Sequence, residues 1–118
     1  MQSHKDLKAW QEAMELTVEL YEWLKDFPEF EKFALTSQMR RSAISVPSNI
    51  AEGFGRQSDK ELIHFLYIAL GSLAELETQI EIAERLKYNT GTQTLNERIK
   101  FIRILLSKLI KVIKNKQT

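Results

Sequence analysis

Apolar residues recur at intervals of three and four through four successive stretches of this 118-residue chain. That period lets an α-helix bury a single face. Leu7, Trp10, Met14, Thr17, Tyr21 and Leu24 predict a first helix from about Lys5 to Asp26, and Leu35, Met39, Ala43, Val46, Ile50 and Phe54 a second from about Lys32 to Phe54. Leu62, Leu66, Ala69, Leu73, Leu76, Ile80 and Ala83 carry a third, which the capping-box pair Ser58 and Glu61 opens. Leu95, Ile99, Ile102, Leu106, Leu109 and Ile113 carry a fourth from about Leu95 to Lys114, opened by Thr94 and Glu97. Phe27-Pro28, the turn from Gly53 to Ser58 and Tyr88-Asn89-Thr90-Gly91 interrupt the pattern. Connections this short force neighbouring helices antiparallel, so the expected fold is all-α: an up-down-up-down four-helix bundle forming a single domain over residues 1–118.

The second helix carries an unusual polar face. Gln38, Ser42, Ser45, Asn49 and Glu52 share one stripe that runs on to Arg56, although Ser and Asn weaken helices and a solvated face is normally filled with Lys and Glu. Pro47 lies within the same helix, where it removes a hydrogen bond, and Ser45 or Ser48 is expected to satisfy the freed backbone. Two readings fit the stripe: small polar residues that permit close packing, or a buried polar network that fixes how helices or subunits meet. Close packing is also expected around Ala69, Gly71, Ser72 and Ala74, since Gly71 otherwise costs helix stability.

The charge is unevenly distributed. Up to Glu97 there are 16 acidic and 10 basic residues, a net of −6, while the last 21 residues hold seven Lys or Arg and no acid, a net of +7. Such an imbalance hints at an anionic partner. Lys100, Arg103, Lys111 and Lys114 align along the fourth helix, and Arg40, Arg41, Arg56 and Lys60 lie around the second helix and its following turn, so these eight are the candidate nucleic-acid contacts. The aromatic residues, by contrast, fall mainly on core stripes and offer few stacking platforms. Glu12, Glu15, Glu19, Glu22 and Asp26 make an acidic face on the first helix, either solvated or docking a basic helix of another copy. Phe101, Leu105 and Val112 widen the apolar arc of the fourth helix beyond one seam, which predicts contact with another chain.

Several classes of chemistry find no support. The chain has no cysteine, which removes disulfides, thiolate metal sites and cysteine nucleophiles. Glu61 and His64 match one Glu-x-x-His element of a carboxylate di-metal bundle, but such a site needs two, and the only other histidine is His4 near the N-terminus. Neither a metal nor a cofactor is expected, nor an enzyme. No run approaches the ~20 apolar residues of a membrane span, and the N-terminus lacks an apolar signal region. A cytoplasmic protein without a membrane partner is the default expectation.

Three segments carry a resemblance. Leu7-Lys8-Ala9-Trp10-Gln11, the run from Gln38 to Gly53, and the run from Ala69 to Glu77 resemble the bacterial four-helix bundle protein family, whose members include proteins encoded within intervening sequences of large-subunit ribosomal RNA genes. That family is similar in fold to the accessory variability determinant protein of diversity-generating retroelements, a basic homopentamer that binds nucleic acid and a reverse transcriptase. The resemblance implies a left-handed bundle that assembles as a homo-oligomer, a pentamer, and binds structured RNA or DNA. A protein-interaction scaffold with a protein partner and no nucleic-acid role is the alternative.

Overall fold

A computed structural model describes residues 3–116. Four helices run through it: α1 (Lys8–Trp23), α2 (Leu35–Phe54), α3 (Asp59–Arg85) and α4 (Gln93–Lys116). No strand occurs among the described residues. Each helix packs on the next and α4 returns to α1, closing a bundle 49 × 23 × 21 Å. Side-chain bridges give the directions. Ser42 meets Glu75 and Ser45 meets Ser72 across α2 and α3, so the two run antiparallel. Arg103 with Glu77 and Lys114 with Tyr67 do the same for α3 and α4. Thr17 with Ala43 and Tyr21 with Arg40 complete the up-down-up-down order for α1 and α2.

Both early helices start later than their periodicity predicts. Lys5 N donates to Ser3 Oγ and Ser3 N to Asp6 Oδ2, each at 3.2 Å, which closes a short 3-10 turn over His4–Asp6; Leu7 is extended and α1 begins only at Lys8. Two further 3-10 turns, Leu24–Asp26 and Glu29–Glu31, separate α1 from α2, and the Glu31 carboxylate accepts from Leu35 N at 3.3 Å in place of a cap from the preceding residue. Ser58 caps α3 by accepting from Glu61 N at 3.2 Å. Thr94 does not cap α4. The helix starts at Gln93, and Thr92 directs its hydroxyl to Glu84 instead, at 2.7 Å.

The core departs from the bulky stripe of the first helix. Ala9, Ala13, Leu16 and Leu20 are buried, while Met14 and Tyr21 are exposed. The buried set is rotated about one residue, roughly 100°, from the stripe of large side chains. The two alanines explain the rotation, since small side chains let α1 sit close enough for Thr17 to reach the α2 backbone. Pro47 has no N–H to offer Ala43, and the freed Ala43 carbonyl lies 3.3 Å from Thr17 Oγ1, which is also 2.9 Å from the Ala13 carbonyl. Neither Ser45 nor Ser48 fills that role. Thr17→Val keeps the shape and removes the hydroxyl, leaving the Ala43 carbonyl buried and unpaired. The expected cost is about 1 to 2 kcal/mol by denaturant titration, and a loss under about 0.3 kcal/mol would refute the account.

Glycine placement also departs from expectation. Gly71 faces outward with open space where a Cβ would stand, and Ala74 is exposed beside it; of that cluster only Ala69 and Ser72 are buried. Close approach happens at Gly53 instead. A Cβ there would lie 3.0 Å from Phe65 Cβ, 3.0 Å from Leu62 Cδ1 and 3.3 Å from the Leu62 carbonyl oxygen.

Candidate functional site

The polar stripe of α2 lies against α3. Ser42, buried, has its hydroxyl 2.8 Å from Glu75 Oε1 and 3.1 Å from the Gln38 carbonyl. About two turns on, Asn49 Nδ2 donates to both the carbonyl and the hydroxyl oxygen of Ser45 at 2.8 Å, and Ser72 Oγ donates to Ser45 Oγ at 2.8 Å. Gln38 and Glu52 sit at the exposed ends of the stripe. Glu52 belongs to another arrangement, an ion pair with Arg56 at 2.9 Å. Sequence reasoning singled out the α2 half of this seam but not Glu75, which only the antiparallel register brings opposite Ser42. Asn49→Ala is expected to cost about 1 kcal/mol, because it removes two half-buried hydrogen bonds and leaves the Ser45 hydroxyl only its bond from Ser72, and Glu52→Ala under about 0.5 kcal/mol. Equal effects in thermal unfolding would remove the distinction between seam and surface.

The candidate basic residues divide into two groups. Lys100, Lys111 and Lys114 are exposed along α4, with Arg103 partly covered among them. Arg103 is held by Glu77 at 2.9 and 3.5 Å, and Lys114 donates to the Tyr67 hydroxyl at 2.7 Å with its ammonium 5.0 Å from the ring centre. The Tyr67 contact sets the last turns of α4 beside the first turns of α3. Lys111 and Lys114 therefore share one end of the bundle with Arg56 and Lys60, in and just after the α2–α3 turn. Arg40 and Arg41 do not join them, being about 24 Å away along α2 at 1.5 Å per residue. Arg40 lies over the Tyr21 ring at 5.3 Å with its Nε buried and unpartnered, and Arg41 is exposed.

The acidic face of α1 is partly neutralised from within. Arg98, which sequence reasoning passed over, donates from Nη1 to Glu12 at 2.7 Å and from Nε to Glu19 at 3.1 Å, fastening α4 to α1. Leu105 and Val112 follow Arg98 at heptad spacing and so point toward the α1 side. Val112 is 56% exposed, Phe101 41%, and Leu105 half-buried against the core. Val18 on α1 is exposed and borders an open groove with Glu15, Glu22, Trp23 and Arg98.

Among the described residues no group of three or more His, Asp or Glu converges as a metal site would require, and no helix is long and apolar enough to cross a membrane. Glu61 and His64 are both exposed and line a surface cavity with Arg56, Lys60 and Phe65.

These features define an antiparallel four-helix bundle with a hydroxyl-lined helix seam and one basic end. The 23S rRNA-intervening sequence protein family matches residues 5–111, and the chain belongs to that family. It is similar to a crystal structure of a protein of unknown function from the S23 ribosomal protein family of Bacteroides thetaiotaomicron, at 30% identity, over 87% of this chain and 95% of that one, with a TM-score of 0.79. No curated protein matches.

Proposed function

We propose that this protein is a non-enzymatic homo-oligomer, a pentamer, that binds structured nucleic acid through its basic end as an accessory factor. The observation that carries the reading is the contact of Lys114 with Tyr67, which puts Lys111 and Lys114 on the same half of the bundle as Arg56 and Lys60. Clustered cations at that end would displace counterions from a phosphate backbone. Support also comes from the family, whose description refers to a ribosomal RNA intervening sequence. Oligomerisation rests on the exposed Phe101 and Val112 with Leu105 between them, an apolar face that a second copy would cover.

A filter-binding titration of structured RNA against salt tests the nucleic-acid role. Lys100, Arg103, Lys111 and Lys114 changed together to Glu are expected to weaken binding about 100-fold at low salt and to flatten the salt dependence. No binding by the natural protein, or none of that loss, would overturn the role. Light scattering tests assembly: Phe101→Glu with Val112→Glu is expected to yield single copies, and a monomeric natural protein at high concentration would end the oligomer reading. A protein-interaction scaffold is the second reading, favoured by Phe30 and Phe33, which are 76% and 89% exposed. Retention of a protein partner, with no nucleic acid, after nuclease treatment would favour it.

A further inference from the structure

The α2–α3 turn holds an arrangement that the proposed nucleic-acid role does not by itself require. The Arg56 guanidinium lies over the Phe65 ring, its carbon 4.9 Å from the ring centre, while Glu52 grips Nη2 at 2.9 Å from one edge. The cation is thus held between a ring and a carboxylate. The His64 ring stands next to Phe65, with centroids 5.5 Å apart and planes at 74°. Between them opens a cavity of about 490 Å³, lined by Arg56, Lys60, Glu61, His64 and Phe65. That volume falls within the range of small-molecule sites. Close approach at Gly53 brings the Phe65 Cβ and the Leu62 carbonyl against the end of α2, so Arg56, three residues later, can cover the ring.

A planar guanidinium next to an aromatic ring and still 42% exposed is a group on which a nucleobase can stack. Here it is accompanied by an exposed imidazole, a lysine for phosphate and a carboxylate that can accept from an exocyclic amine. Phosphate backbones need only charge. The planar groups would be redundant for them.

We infer that this cavity takes one unpaired base of a nucleic-acid strand, stacked on Arg56 and flanked by His64, with the adjoining phosphate on Lys60. The inference rests on the nucleic-acid reading above and adds to it that the bound strand has an unpaired base at this turn. Glu61 accepts from the base edge where an amino group is present.

The test uses the full chain and a short single strand carrying 2-aminopurine, whose fluorescence falls when the base stacks. RNA and DNA strands of one sequence are run in parallel, and the one that is quenched at lower protein concentration identifies the source of the base. Arg56→Lys keeps the charge and loses the plane. It is expected to abolish the quenching and weaken single-strand affinity about tenfold, with the salt dependence unchanged. His64→Ala, at an exposed position, is expected to reduce the quenching as well, and unaltered melting temperatures for both variants show that the fold is kept. Quenching in Arg56→Lys equal to that of the natural protein, or equal quenching when the probe is locked in a duplex, overturns the inference and leaves the charge-based role standing. Absence of any salt-dependent binding by the natural protein removes both.

Discussion

Leu16→Ala is expected to lower the free energy of unfolding by about 3 kcal/mol, whereas Met14→Ala should cost under about 1 kcal/mol. Leu16 is fully buried, and truncating it removes its transfer free energy and leaves a hole in the core cluster to which Leu20 and Ala43 also belong. Met14 is 41% exposed, so a large part of what it loses is already in water and no closed cavity is left behind. Denaturant titrations of the two variants, compared at equal slope, measure the difference. Equal losses, or a larger one at Met14, would show that α1 faces the core as its largest side chains suggest. A second copy covering Met14 would raise its cost only above the assembly concentration, so the comparison is made at low protein concentration.

Gly53→Val is expected to cost a further large amount, about 3 kcal/mol, while Gly71→Ala should stabilise by roughly 1 kcal/mol. Both are helical glycines, and propensity alone would favour replacing either. At Gly53 the added Cβ meets Phe65 Cβ and the Leu62 backbone, neither of which is the free end of a flexible chain. Valine adds two more atoms in the same crowded space. At Gly71 the added methyl meets nothing. Melting temperatures moving in opposite directions for Gly53→Val and Gly71→Ala would bear this out; a destabilised Gly71→Ala would instead reveal a partner against that outward face.

The two glycines and the two α1 positions mark where sequence reasoning reached its limit. Periodicity located all four helices, and the inner stripes of α2 and α4 are largely those observed: Met39, Ala43, Val46 and Ile50, then Leu95, Ile99, Ile102 and Leu106 are buried. In α1 the pattern was read from large side chains, but Ala9 and Ala13 count as much in close helix packing as their bulkier neighbours. A period of 3.6 does not distinguish two stripes 100° apart when both contain apolar residues. Gly71 suggests a contact because glycine inside a helix costs stability, yet only the three-dimensional path of α3 reveals which glycine meets a backbone. Candidate site residues were legible as types and not as groups. The stripe Ser42, Ser45 and Asn49 stood out for its missing charges, whereas Glu75, Arg98 and the pairing of Arg56 with Phe65 depend on contacts between or around helix ends. A sequence reader would have needed the antiparallel register to find Glu75. For Arg56 the available signal was its spacing from Glu52, four residues earlier on one helical face.

The Thr17 hydroxyl beside the Ala43 carbonyl couples two positions that lie thirty residues apart in sequence, Thr17 and Pro47. With alanine at position 47 an amide would return to that carbonyl, and a valine at position 17 would then do little harm. Introduced in the opposite order, the valine strands an oxygen before any amide arrives. The cost of losing the hydroxyl therefore depends on the imino acid: Thr17→Val is expected to destabilise the natural chain more than it destabilises a Pro47→Ala background.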